Sequence, residues 1–584
     1  MFDLSRRRLL RAGAAVGFAS TVGIDTGVAE SSPDLEKYVQ PVPIPEVREP
    51  DGKRKGADYY EIPVDEFSKK LHPDLPKTTL WGFDGEYPGP IIQARRNQRI
   101  KVRFDNSALP DEHLLAIDDR ISGTEPEDYP DYDGDVPDVR TVTHFHGLNV
   151  APEDDGQADM WKSPDGVTGP RFSKHVHDIP NHQSRLTSTY HDHARGISRL
   201  NIYAGLAGFY FITSEQEDQL DLPTGEYDVP LILQDRSFNE DGSLHYPDSF
   251  VPNVAGDTAV VNGAVWPYLE VEPRRYRLRL INVSNGQAFD MRLENDSGSD
   301  VPTLYQIAAG HGFLERVVEI GPDGDLESLI LAPFERGDII VDFSEYAGET
   351  FTVTTDAEFP IEGGEDHGQD DDHNEDGTHG DGGDQDEGHD DGGGHGGGNV
   401  VGTALDELMQ IRVTGSGGTT DDSADPRELD LPSRSGPDEN AAVETRHMTM
   451  QMDMKMDSEE PPIHLLNNRR FNDDIVHKPQ LGTVEIWEFE NKTRHTHPIH
   501  LHLVEFDVIG RGPDGTDDPD PNEAVGKDTV RVNPDETVRI LVKFGDFAGQ
   551  FPFHCHILEH EDHEMMRPFE VVKGKNNGRG NGSG

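Results

Sequence analysis

His554-Cys555-His556-Ile557-Leu558-Glu559-His560, running on through Glu561, Asp562, His563 and Glu564 to Met565, holds the single cysteine of a 584-residue chain. Cys555 therefore forms no intrachain disulfide. It stands between two histidines, with His560 following in the same segment and Met565 beyond it. A soft thiolate, imidazoles and a distant, weakly bound thioether are the donor set of a blue copper site. If residues 553–557 are a strand, successive side chains point to opposite faces. His554 and His556 then face one way and Cys555 the other. One segment touches two metal centres, joined by a few backbone bonds.

Working outward, three more His-x-His elements supply further ligands: His144-Phe145-His146, His191-Asp192-His193 and His500-Leu501-His502. Each pair lies on one face if its segment is extended. Gly147, directly after the first, lets backbone approach closely behind the site. His175-Val176-His177 has the same shape, but the eight-histidine set is filled without it, so it reads as surface. His497 precedes Pro498 and can turn away from His500 and His502, to join Cys555, His560 and Met565. His495 competes for that place, but Pro498 sets the spacing in favour of His497.

The surrounding sequence is short β-type runs punctuated by Pro, Gly and Asp, with no long helical periodicity, and predicts an all-β sandwich architecture. The length implies several domains. We divide the chain into an export segment (1–29), a first domain (30–218), a second (219–414), a linker (415–440), a third domain (441–574) and a tail (575–584). The second domain has no His-x-His motif, so it reads as a metal-free spacer in which His245 and His311 are surface or satisfied residues. Inside it an Asp/Gly/His tract (362–398) buries no core and reads as disordered. The tract is a solvated acidic loop or, alternatively, one that gathers metal. The third domain opens with Met448-Thr449-Met450-Gln451-Met452-Asp453-Met454-Lys455-Met456, whose alternation puts five methionines on one strand face. That face is flexible core or, alternatively, a Cu(I) site.

With 52 basic and 112 acidic residues the net charge is −60. This argues against nucleic-acid binding and against adhesion to anionic membrane. Residues 362–391 carry 14 acids, and without them the charge is still −46. Acidity spread this widely suits a protein kept soluble in very high salt, where charges are screened beyond about 3 Å at 1 M. Ser5-Arg6-Arg7-Arg8-Leu9 before an Ala/Gly-rich run to Ala29 looks like a twin-arginine (Tat) export signal. No later run is long and apolar enough for stable membrane insertion. Sequons begin at Asn282, Asn295, Asn491 and Asn581.

The chain resembles the three-domain multicopper oxidases, and within them the bacterial spore-coat laccase and bilirubin oxidase group. The four copper motifs carry the resemblance, together with Leu75-Pro76, Leu80-Trp81-Gly82, Tyr87-Pro88-Gly89-Pro90, Asn201–Leu206, Val265–Pro273 and His497–His502. It covers nearly all of the chain after the export segment. The acidity, the Asp/Gly/His tract and the methionine run depart from the family.

The resemblance implies three cupredoxin-like Greek-key β-sandwich or barrel domains and four coppers per chain. His497, Cys555, His560 and axial Met565 would hold the type 1 copper. His144 and His500 would hold type 2, and His146, His191, His193, His502, His554 and His556 the type 3 pair. Glu561 and Asp155 match acids that deliver protons to oxygen. The implied reaction oxidises phenols or similar donors by single electrons and reduces O2 to water. Alternatives are a cuprous or other metal-ion oxidase and an exported copper-binding or coat-type protein. Neither the physiological reductant nor the oligomeric state is legible.

Overall fold

The computed structural model describes residues 32–130, 132–295, 297–298, 300–357, 400–401, 404–415, 420–434, 436–453 and 461–574. The export segment, the Asp/Gly/His tract, Met454, Met456, the tail and Asn581 lie outside them.

The regular structure of the described chain is almost all strand, in three successive pairs of sheets. In the first pair, Ala57–Lys69 and Ile100–Asp105 face the sheet of Gly89–Arg95, Ala207–Thr213, Leu186–Asp192 and Thr143–Phe145. Ile100–Asp105 alternates buried and half-buried residues, as its sequence alternation requires. The second pair is built on Asp228–Phe238, Arg275–Asn282 and Arg336–Asp342 against Glu407–Val413, Thr350–Thr355 and Phe289–Asn295. The third sets Ala442–Asp453, Val484–Asn491 and Thr537–Lys543 against His497–Leu501, Gly549–Cys555 and Met566–Val571. Each pair encloses its own apolar core. This is the all-β sandwich architecture that the sequence predicts.

Arg275–Asn282 shows how the units lock together. Tyr276, Leu278 and Leu280 fill the second core, while Arg277 and Arg279 on the other strand face are equally buried. Arg277 donates to Asp338 Oδ2 at 2.5 Å and to Glu217 Oε1 at 2.8 Å. Arg185, from the first unit, donates to the same Asp338 oxygen at 2.6 Å. Burial alone would raise the Glu217 carboxyl, but Arg185, Arg277 and Arg279 outweigh it and bring it down to about 2 from 4.5. A depressed carboxyl contributes stability above its unfolded pKa and loses it as pH falls toward the folded value. The clamp is therefore at full strength above about pH 4.5 and contributes of order 3 kcal/mol there. We expect the urea midpoint to drop between about pH 5 and about pH 3, and Glu217→Gln protein to start lower and fall less over that range. Parallel slopes for the two proteins would assign the acid sensitivity elsewhere.

In the segment read as linker, Leu431 packs into the second core, and Arg434 bonds Asp507 and Glu505 of the third unit. Asn282 and Asn491 are unsuited to carrying glycans. Asn282 is buried and donates to the carbonyls of Gln287 and Leu331, as Asn491 does to those of His495 and Val532. Along the methionine run Met448 and Met450 are fully buried, while Met452 is 37% exposed. The strand runs out of the core toward its end.

Candidate metal centres

Strand register brings the first group of histidines together. His144 lies opposite His191 in the pairing of Thr143–Phe145 with Leu186–Asp192. His500 lies opposite His554 in the pairing of His497–Leu501 with Gly549–Cys555. These sheets belong to the first and third units, and eight imidazoles converge between them. His144 stacks on His502 and His146 on His500, each pair with ring centroids 3.9 Å apart. His554 Nε2 is 3.3 Å from His193 Nε2 and 3.2 Å from His502 Nε2. His556 faces His146 and His191 at 5.1 and 5.4 Å. All eight are buried.

These rings are arranged to receive cations. Their outward nitrogens donate to fixed acceptors: His144 Nδ1 to Asp155 O at 2.6 Å, His191 Nδ1 to Asp192 O at 2.8 Å, His500 Nδ1 to Asp528 O at 2.8 Å. Nε2 of His144, His191 and His500, Nδ1 of His146 and both ring nitrogens of His556 have no hydrogen-bond partner among the described residues. Buried lone pairs left so are costly unless an ion takes them. Burial drives all eight rings to the neutral, ligating form, with His146, His193 and His554 at about 4 and the others well below their ordinary value. Triads such as His144/His500/His502 and His193/His502/His554 bring their donor atoms within 4.8 Å of one another.

The second group is centred on Cys555. Its Sγ lies 3.5 Å from His497 Nδ1 and 3.7 Å from His560 Nδ1. His497 is thus the histidine beside the thiol, and His495 is not. Thr493 Oγ1, 2.7 Å from His497 Nε2, fixes the far side of that ring. Met565 is fully buried in the same core, and its carbonyl accepts from Cys555 N at 3.0 Å. Burial pushes the Cys555 thiol well up, so a thiolate there needs a cation beside it.

The strand ends at Cys555 rather than continuing to 557. A five-residue helix, Leu558–Asp562, follows and is buried on every side. That turn swings His560 back to Cys555 and aims Glu561 the other way, with Oε2 3.1 Å from His554 Nδ1 and Oε1 3.6 Å from His193 Nδ1. Burial raises Glu561 to about 7. Asp155 Oδ2 accepts from His502 Nδ1 at 2.9 Å, and burial lifts its carboxyl well above the usual range. Both acids therefore sit against the eight-histidine group. His177, by contrast, is spent on the carbonyl of Asp154.

The unit read as a spacer does more than separate the others. Phe334, held at φ 62°, stacks on His556 at 3.8 Å and lies 4.6 Å from His191. Arg336 holds Asp528 by two bonds of 2.5 and 2.6 Å. Asp528 accepts from His146 Nε2 at 2.9 Å and from His311 Nε2 at 2.8 Å. A side chain on Gly147 would collide with Asp528, which is the close approach that glycine permits. Sequence reading missed Phe334, Arg336, Asp528 and one more histidine, His464, whose ring stacks on His560 at 3.8 Å.

Residues 440–575 and 68–121 match two family models, each described as multicopper oxidase. The chain is 54% identical to a laccase of Haloferax volcanii, over 98% of this chain and 91% of that protein. It is 39% identical to a laccase of Bacillus subtilis, over 92% and 99%. It is 30% identical to a bilirubin oxidase of Albifimbria verrucaria, over 93% and 83%. Among solved structures it is similar to a laccase from Pediococcus acidilactici, with TM-score 0.68 and 26% identity over 92% of this chain and 95% of that one.

Proposed function

Because the chain belongs to the multicopper oxidases, as an O2-using oxidoreductase of laccase type, we propose that it oxidises phenols and similar donors with four coppers per chain. His497, Cys555, His560 and Met565 hold the type 1 copper. His144 and His500 hold type 2. His146, His191, His193, His502, His554 and His556 hold the type 3 pair. The observation that carries this reading is the convergence of eight neutral, buried imidazoles, several with a ring nitrogen that has no hydrogen-bond partner among the described residues.

Bound copper supplies one-electron exchange with the donor and the reduction of O2. The chain does the rest. Cys555 is flanked in sequence by His554 and His556, so the two centres share one covalent segment. Complete burial excludes bulk water from both. Glu561 and Asp155 hold protons beside His554 and His502, within reach of the cavity where oxygen is reduced. Phe334 covers the type 3 side.

Supported by the Arg6–Arg8 motif and the charge of −60, we read export through the Tat machinery into a high-salt exterior. No described helix is long and apolar enough to cross a membrane. Supported by the three sheet pairs, we read the domains as 30–218, 219–414 and 441–574. The test is oxygen uptake by copper-loaded protein in high salt with a phenol. We expect one O2 per four substrate electrons, no peroxide, and a blue band that bleaches and returns. A blue band without oxygen uptake would overturn the proposal.

A further inference from the structure

Trp161 closes the short turn Ala158–Met160 and is fully buried. It shares one apolar cluster with Tyr129, Val142 and Ala194. The last two stand beside the ligand segments. Ala194 directly follows His193, and the Val142 carbonyl accepts from His193 N at 2.8 Å. Lys162, next after Trp161, exchanges two backbone bonds with Thr141, at 2.9 and 3.0 Å. The indole is thus packed behind the strands that carry His144 and His193. On its other side it meets Tyr132, with ring centroids 6.1 Å apart and planes at 85°. Tyr129 lies against both rings, 6.0 Å from Trp161 and 5.9 Å from Tyr132, and its hydroxyl accepts from Trp161 Nε1 at 3.2 Å. These are contact distances for aromatic pairs. Tyr132 is half-buried. The rings therefore make one continuous line from the histidine segments to solvent.

The charges around these rings give the line a direction. Arg140 lies over Trp161 at 5.6 Å and Arg195 over Tyr129 at 5.2 Å. A guanidinium over a ring is attracted by its π density, so it opposes the loss of an electron from that ring. Tyr129 also lacks a base for its proton. Its hydroxyl donates to Gly123 O at 2.8 Å, and that carbonyl already accepts from Arg140 Nη2 at 2.8 Å. Tyr132 differs. Its hydroxyl donates to Thr168 O at 2.7 Å and lies 3.2 Å from the carbonyl of Asp135, an exposed residue. Water can take a phenolic proton there. An oxidised ring in this line is therefore short-lived at Trp161 and comes to rest at Tyr132.

We propose that Trp161 and Tyr132 form a reserve electron path, which serves the eight-histidine group from the surface without passing Cys555. Trp161 gives one electron inward. Tyr132 then gives one electron to Trp161 and releases its phenolic proton to water. A phenol at the surface returns a hydrogen atom to the tyrosyl radical and becomes a phenoxyl radical. The path completes the four-electron reduction of O2 to two waters when the Cys555 side is one electron short. Tyr129 positions the indole through its Nε1 and carries no electron. The proposal rests on reading the eight histidines as the ligands of three coppers.

The test uses full-length, copper-loaded Cys555→Ala protein, reduced without oxygen and freed of excess dithionite. With three coppers it holds three electrons, one fewer than O2 needs. It is mixed with O2, frozen and examined by electron paramagnetic resonance. We expect a tyrosyl radical approaching one per chain, and none in wild type treated alike, which holds four electrons. Adding Tyr132→Phe should replace the tyrosyl signal by a tryptophanyl one. Adding Trp161→Phe should abolish both. Tyr132→Phe keeps the ring of a half-buried residue, so that variant keeps the fold. The proposal is overturned if the three-copper protein reduces O2 without a radical, or if the tyrosyl signal survives either substitution. Failure of the copper assignment looks different: metal analysis of the Cys555→Ala protein would find fewer than three coppers, and the path would have no centre to serve.

Discussion

Cys555→Ala protein is expected to fold, to lose its blue absorption, and to oxidise phenols at least about a thousandfold more slowly than wild type. The reason is local. Cys555 is the only thiol in the chain, and it lies between His497 and His560 with no second sulfur donor except buried Met565. Alanine removes one sulfur from a well-packed core of Phe551, Phe553, Ile557 and Phe569, a loss of order 1 kcal/mol. The eight-histidine group keeps every ligand, because His554 and His556 are held by their own contacts and not by the sulfur. Metal analysis should therefore find about one copper fewer per chain, not four. Loss of all copper would show instead that the two centres load as one unit. A surviving blue band would remove Cys555 from the type 1 role.

The twelve residues proposed as copper ligands could be picked out in the sequence because each motif is local. His-x-His places two rings on one strand face wherever the strand happens to lie, and the Cys555 segment carries its ligands in one short run. What surrounds the ligands was not legible, for the opposite reason. Asp528 serves His146 from 382 residues away, and Arg336 reaches Asp528 across 192. No spacing rule connects such positions. The helix Leu558–Asp562 was missed because it is only five residues long and buried all round, so it shows no helical periodicity. His464 did leave a trace: a histidine inside Ile463–Leu466 interrupts an apolar strand, and a polar residue in that setting asks for a partner. The second domain was underrated on the same grounds. It lacks a ligand motif, yet Phe334 and Arg336 reach the site from a turn and a strand that look ordinary in sequence. The burial of Asn282 and Asn491 was not legible, because a three-residue sequon carries no information about burial.

The second large effect belongs to Asp528. It is completely buried, and burial alone would raise its carboxyl; Arg336, His146 and His311 outweigh that and hold it well below the usual range. The substitution Asp528→Asn would keep the shape and remove the charge. The new amide would present N–H groups to the Arg336 guanidinium, which has donors only. Breaking a buried pair on one side leaves the other charge uncompensated and costs about 3–5 kcal/mol. The loss also reaches the metal ligands. Asp528 Oδ1 accepts from His146 Nε2, which leaves the lone pair on Nδ1, the nitrogen that has no partner among the described residues. Without a full carboxylate that orientation is weakly held, and metal affinity at the eight-histidine group should fall about 10–100-fold. We therefore expect Asp528→Asn apoprotein to unfold at lower urea than wild type, and the holoprotein to lose type 2 and type 3 copper to a chelator while keeping its blue band. Replacing both residues, Asp528→Asn with Arg336→Gln, should recover part of the stability, because it removes the unpaired cation, but none of the copper affinity. If the double variant recovers both, Arg336 alone governs the site and Asp528 is only its counter-charge.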